Sequence, residues 1–115
     1  MTIEEEMARL PNLRHVGIAL VQFVYSLQKG SFVKKTEWVY SAKFVAFAIN
    51  YRRVEKIHLT LMEYPEHVED KEILPLYAGR WNYPRGEITN PRQLACAARY
   101  VEECHRMWLR KILGK

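Results

Sequence analysis

The chain has 115 residues, of which 49% are hydrophobic and 27% are charged, and its net charge is +5. This length fits a single domain with one core, and this composition excludes an intrinsically disordered protein. Because its longest apolar stretch falls far short of about 20 residues and its N-terminus is acidic, we expect neither a membrane-spanning segment nor a secretory signal.

Two helices are predicted near the N-terminus. Thr2 and Glu5 form a capping-box pattern that starts a short first helix. Pro11 interrupts that helix and fits the first turn of a second one, which runs to about Gln28 and stops before Gly30. The second helix carries apolar residues at helical spacing, namely Leu13, Val16, Leu20, Val24 and Leu27.

The following segment has the pattern of β-strands. Strand-forming residues occur at 38–40, at 44–49 and, in strict alternation with polar residues, at 57–61. Because the connections between them are too short for parallel crossovers, we expect a three-stranded antiparallel meander.

Residues 63–80 contain two prolines, a glycine and several acids, which predicts a long acidic loop with a helical turn near His67 to Leu74. A fourth strand is predicted between Arg80 and Ile88. The predicted fold is therefore one α+β domain over residues 1–115. In it, an antiparallel sheet of about four strands, arranged as a meander, is packed by an N-terminal and a C-terminal helix.

A C-terminal helix is predicted from Pro91 to Ile112. Asn90 fits its N-cap, and Gln93 fits the capping-box partner. Its apolar face is predicted to hold Leu94, Ala97, Ala98, Val101, Cys104, Trp108 and Ile112. The opposite side carries an arginine band, which comprises Arg92, Arg99, Arg106 and Arg110.

The two cysteines indicate the compartment. Cys96 and Cys104 are eight residues apart on this predicted helix, a rise of about 12 Å. A disulfide within the helix cannot span that distance. We therefore expect free thiols and a cytoplasmic protein.

The charge distribution suggests an anionic partner. Residues 31–62 and 90–115 each hold six bases and two acids, whereas residues 63–89 hold three bases and six acids. The arginine band can contact phosphates. The more usual role of such a band is the solvated side of a helix, with Glu103 pairing Arg99 and Arg106.

A second basic group lies at the strand ends and turns, near aromatic residues. It comprises Lys34, Lys35, Lys43, Arg52, Arg53 and Lys56. Bases interleaved with aromatic rings bind single-stranded nucleic acid, because the rings stack on bases while the cations hold phosphates. Alternatively, these charges keep the sheet edges from pairing with other chains.

An aromatic and basic cluster follows the acidic loop. It comprises Tyr77, Arg80, Trp81, Tyr83 and Arg85. These residues can line a partner-binding surface. Packing in the core against the C-terminal helix is the more usual role of such large aromatic residues.

No catalytic, metal or cofactor motif is present in the sequence. The four histidines have no partners at ligand spacing; they are His15, His58, His67 and His105. The sequence therefore favours a protein without a cofactor and without enzymatic activity.

Four segments carry a resemblance to a known family, namely Lys43–Phe47, Ile57–Leu61, Gly86–Ile88 and Gln93–Ala95. Over about Leu13 to Ile112, the chain resembles the small α+β domains of the YjbR/MmcQ-like and YdhG-like type. This resemblance implies a non-enzymatic role, which in such domains includes DNA binding through paired β wings. The long acidic loop departs from their pattern.

Two functional hypotheses follow. The first is a non-enzymatic binding or accessory module that contacts nucleic acid through Lys34, Lys35, Arg52, Arg53, Arg99 and Arg106. The second is a protein-interaction or homodimerisation module that uses the cluster around Trp81.

Overall fold

The computed structural model describes residues 2–30, 32–36, 38–50 and 53–114. Within these ranges the chain forms three α-helices, α1 (Ile3–Ala8), α2 (Arg14–Leu27) and α3 (Leu94–Leu113). It also forms six strands, β1 (Val33–Lys34), β2 (Val39–Ser41), β3 (Val45–Asn50), β4 (Lys56–Leu61), β5 (Tyr77–Ala78) and β6 (Pro84–Ile88). None of the described helices combines the length and the hydropathy that crossing a membrane requires.

The strands form one antiparallel sheet in the order β1-β2-β3-β4-β6-β5. The α+β class and the antiparallel sheet are thus confirmed. The prediction of about four strands is too low for the described chain, and the meander is incomplete, because β6 pairs with both β4 and β5. The two strands absent from the prediction, β1 and β5, have two residues each and lie at opposite edges of the sheet.

One face of the sheet lies against the helices. In β4, Ile57, Leu59 and Leu61 are fully buried, whereas the intervening Lys56, His58 and Thr60 are partly exposed. The buried residues of β3 and β4 form a single core with those of all three helices. The sheet therefore has a covered face and an open, polar face, as the alternation of β4 predicts.

A local signal sets the start of α1, and a tertiary contact sets the start of α2. The Thr2–Glu5 capping box is present at α1, as predicted. The second helix begins at Arg14 rather than near Pro11. Its preceding amides, those of Asn12 and Leu13, donate to the carboxylate of Glu55 at 2.8 and 2.9 Å.

The start of the C-terminal helix is confirmed, and its buried face is corrected. Asn90 and Gln93 form the capping box around a short 3₁₀ turn that leads into α3. Several predicted positions are buried, but Ile112 is 47% exposed and Trp108 is only half-buried. Tyr100 and His105 are buried instead.

The segment between β4 and β5 explains why Tyr100 is buried. It holds a 3₁₀ turn at Glu66–Val68 and a bridge between Asp70 and Leu74, so it is more ordered than the predicted loop. The Tyr100 hydroxyl accepts from the Asp70 amide at 2.7 Å and donates to the Leu74 carbonyl at 2.8 Å. Segment 70–74 therefore packs on a side of α3 that lies beyond its predicted apolar face.

Candidate functional site

A pocket of about 460 Å³ opens between the C-terminal end of α2, strand β1 and the β2–β3 turn. Three of its lining residues are lysines, Lys29, Lys35 and Lys43, and we call it the lysine pocket. They converge because α2 ends at Leu27 and the chain then turns back into the edge strand β1. The pocket has the size that small-ligand sites usually have.

The inner side of the lysine pocket is aromatic. Tyr25, Phe32 and Phe44 line it. Phe32 packs edge-on to Tyr25, with ring centroids 5.8 Å apart, and its other contact is Phe47 of the core at 5.7 Å. The Tyr25 hydroxyl donates to Glu4. Burial, together with this carboxylate, raises the pKa of Tyr25 to about 12, so its side chain is neutral at physiological pH.

The lysines of this pocket have no carboxylate partner in the described part of the chain. Lys29, Lys35 and Lys43 are exposed, and none forms an ion pair with another described residue. Lys43 lies over the Trp108 ring, with its Nζ 5.9 Å from the centroid. Glu4 accepts from the Tyr25 hydroxyl. An anion that enters therefore meets three cations that have no carboxylate partner among the described residues.

The predicted basic residues fall into two places. Lys35 lines the lysine pocket, whereas Lys34 precedes it in β1 and has its Nζ 5.7 Å from the Tyr40 ring centroid. Arg53 follows β3, whereas the turn that holds Lys43 precedes it. A six-residue strand separates these two turns, a distance of roughly 17–20 Å. Arg52 lies outside the described residues.

Two of the four residues of the arginine band, Arg99 and Arg106, lie against acids. Arg106 contacts Glu102 at 2.6 Å and Glu103 at 3.4 Å, and Arg99 lies 4.0 Å from Asp70. These are exposed ion pairs of the kind expected on a solvated helix face. Arg99 and Arg106 are therefore less available to an anion than the three lysines are.

The aromatic cluster is divided between surface and partial burial. Trp81 is 82% exposed, which contradicts the expectation that it packs in the core. It lies in the loop between β5 and β6 with a left-handed φ of 64°, and it is followed by Asn82 at 61°. Tyr83 is half-buried and stacks on Tyr64, with centroids 6.2 Å apart. Such a backbone turns the Trp81 side chain away from the strand face that the sequence assigns to it.

The basic members of this cluster differ from one another. Arg85 lies opposite Tyr77 in the antiparallel pair of β5 and β6. Its Nε is buried and has no hydrogen-bond partner among the described residues. The side chain of Arg80 lies outside the described part of the chain.

A polar cluster centred on Glu87 occupies the open face of the sheet. Lys56 Nζ lies 3.1 Å from this carboxylate, the Tyr77 hydroxyl 3.3 Å and His58 Nδ1 3.7 Å. The hydrogen bond from Lys56 lowers the pKa of Glu87, whereas burial, helped by Arg85, lowers the pKa of His58. Glu87 is therefore ionised and His58 neutral at physiological pH. Neither residue lines the lysine pocket.

Lys29 is the residue of the lysine pocket that sequence reasoning does not single out. It stands between the end of α2 and Gly30, where a lone lysine carries no recognisable pattern.

The side chains that can ligate a metal are scattered. No three His, Cys, Asp or Glu side chains within 2–30, 32–36, 38–50 and 53–114 lie where they can hold one ion. Cys96 and Cys104 are buried and unpaired, as predicted.

Comparison with known proteins finds no relative of this chain. No family model, curated protein or solved structure matches the chain. The resemblance to YjbR/MmcQ-like and YdhG-like domains therefore stays a prediction.

Proposed function

We propose that this protein is a non-enzymatic module that binds single-stranded nucleic acid at the lysine pocket. The observation that carries the proposal is the convergence of three lysines, unpaired within the described chain, on an aromatic wall. Cations hold phosphates by releasing the counterions that surround them. Aromatic faces accept a base whatever its sequence. The exposed lysines and the half-buried rings of Tyr25 and Phe32 offer both contacts around one pocket of about 460 Å³.

The proposed binding surface includes some of the predicted basic residues and excludes others. Lys35 remains in it because it lines the pocket, and Lys34 because it precedes Lys35 in β1. Arg99 and Arg106 leave it, because they already lie against Asp70, Glu102 and Glu103. Lys29 and Lys43 replace them as the cations that an incoming phosphate meets first.

The test is a fluorescence anisotropy titration of a labelled oligothymidylate at several salt concentrations. A triple variant, Lys29→Ala with Lys35→Ala and Lys43→Ala, is compared with the wild type. Each phosphate contact on a single strand contributes about 0.7 to the slope of log affinity against log salt, so losing all three lowers the slope by about 2. We expect that decrease together with weaker binding.

A matched control removes the same charge elsewhere. The triple variant Arg92→Ala, Arg99→Ala and Arg106→Ala also loses three positive charges, but all of them lie on the arginine band. We expect it to keep the salt slope of the wild type. The proposal fails if the wild type does not bind at low salt, or if both triple variants lose the same slope.

A further inference from the structure

A second, shallower concavity of about 230 Å³ lies beside β5, at the sheet edge opposite to β1. Tyr64 and Tyr77 line it together with Pro65, Pro84, Leu76 and Glu69; we call it the tyrosine groove. Its position at the far edge of the sheet separates it from the lysine pocket. The groove shares no lining residue with the proposed nucleic-acid site.

Flat aromatic and proline surfaces dominate the tyrosine groove and its border. Tyr64 and Tyr77 are both exposed. Tyr83 stacks on Tyr64 with an angle of 28° between the rings, which fixes the orientation of Tyr64. Asn82, which follows the exposed Trp81 in the chain, also lines the groove. The fold thus presents several large rings at one place without covering them, which is typical of an interaction surface.

The tyrosine groove is also acidic. Glu69 lines it, and its Oε2 accepts only a long hydrogen bond of 3.5 Å, from the Leu76 amide. It forms no ion pair with any residue that the structure describes. The nearby cation Lys111 is neutralised by Glu63 at 2.7 Å. A positively charged group of a partner therefore finds an unpaired carboxylate at the edge of the rings.

We propose that the tyrosine groove binds an extended, proline-rich peptide segment that carries a basic residue. A polyproline II chain makes no internal hydrogen bonds, so its carbonyls are free to accept from the Tyr64 hydroxyl. Its proline rings pack on aromatic faces, and its preformed backbone loses little entropy on binding. The basic residue pairs with Glu69. The open, shallow shape of the groove suits an extended chain better than a compact ligand.

The experiment uses the full chain and a synthetic peptide with an arginine beside a Pro-x-x-Pro core. Calorimetry gives the affinity, and amide chemical shifts locate the site. We expect saturable binding with shifts concentrated between Tyr64 and Pro84. Because a central aromatic contact often accounts for more than a tenfold change in affinity, Tyr64→Ala is expected to weaken binding at least about tenfold. The matched control is Leu113→Ala, an exposed apolar residue at the end of α3, which leaves affinity unchanged.

The charge complementarity has its own test. Glu69→Gln is expected to weaken the arginine peptide more than a version with alanine in place of the arginine. Urea unfolding checks that each variant is folded, and Trp81→Ala replaces Tyr64→Ala if the latter is not. An equal effect of Glu69→Gln on both peptides refutes the assigned pairing.

Three results overturn the proposal as a whole. The first is the absence of peptide binding, or binding that neither aromatic substitution weakens. The second is a homodimer in sedimentation that Tyr64→Ala or Trp81→Ala dissociates, which assigns the groove to a second copy of the chain. The third is displacement of the peptide by an oligothymidylate, which assigns the groove to nucleic acid.

Discussion

Replacing Tyr100 by phenylalanine removes one oxygen atom from a fully buried ring. That oxygen accepts from the Asp70 amide at 2.7 Å and donates to the Leu74 carbonyl at 2.8 Å. The substitution thus deletes these two hydrogen bonds and a longer contact with the Asp70 carbonyl at 3.4 Å. The Asp70 amide and the Leu74 carbonyl both lose this partner. The ring itself stays, so packing in the core changes little.

The expected loss of stability follows from these two bonds. A neutral hydrogen bond contributes about 1 kcal/mol net, and a buried polar group left without a partner costs about 1–3 kcal/mol. The Leu74 carbonyl belongs to a fully buried residue, whereas Asp70 is partly exposed and its amide regains water. We therefore expect Tyr100→Phe to lower the free energy of unfolding by about 2–4 kcal/mol. At about 4 °C per kcal/mol for a domain of this size, the melting temperature falls by about 8–16 °C.

Urea unfolding followed by circular dichroism measures this loss, and Tyr77→Phe is its control. The Tyr77 hydroxyl donates to Glu87 at 3.3 Å on the exposed face of the sheet, so its removal is expected to change stability by less than about 0.5 kcal/mol. If Tyr100→Phe unfolds at the wild-type urea concentration, or if the two variants lose equal stability, the anchoring role of Tyr100 is refuted.

Two further predictions concern a helix cap and an ion pair. Asn90→Ala removes the side chain that accepts from the Arg92 amide at 3.0 Å. It is expected to lower the free energy of unfolding by about 1 kcal/mol at unchanged m-value, whereas Asn90→Asp keeps the cap and the stability. Equal losses in the two variants exclude a capping effect. The pKa of Glu87 lies below its usual 4.5 because Lys56 donates to it. The stabilisation from this ionised carboxylate is therefore complete above pH 4.5 and is lost as the pH falls through the lower folded-state pKa. The stability gap between the wild type and Glu87→Gln should accordingly narrow below pH 4.5, and a gap of constant size contradicts the pairing.

The elements that sequence reasoning predicts are those with local signals. The capping boxes at Thr2 and Asn90 depend on residues three positions apart, and both are present. The alternation in β4 and the apolar stripe of α2 likewise reflect burial on one side of a regular element. Strands β1 and β5 escape prediction because two residues have no period, and they become strands only by pairing with β2 and β6.

The candidate sites depend on contacts that no local pattern contains. Lys29 and Lys43 are far apart in sequence and meet only because β1 folds back beside the β2–β3 turn. The burial of Tyr100 requires segment 70–74 to dock on α3. Trp81 is exposed because of the left-handed backbone in its loop, which is unusual for a tryptophan. Predicting these features from sequence requires the three-dimensional arrangement itself.

The carboxylate of Glu55 at the start of α2 has a consequence for how this helix forms. It accepts from the amides of Asn12 and Leu13 across more than 40 positions of the chain, and it also complements the positive end of the helix. Because most helix caps are local, a helix usually begins to form before the sheet does. Here the cap of α2 comes from the connection between β3 and β4, so it is present only when that connection lies against the helix. We therefore expect α2 to be frayed at its start in any fragment that ends before Glu55.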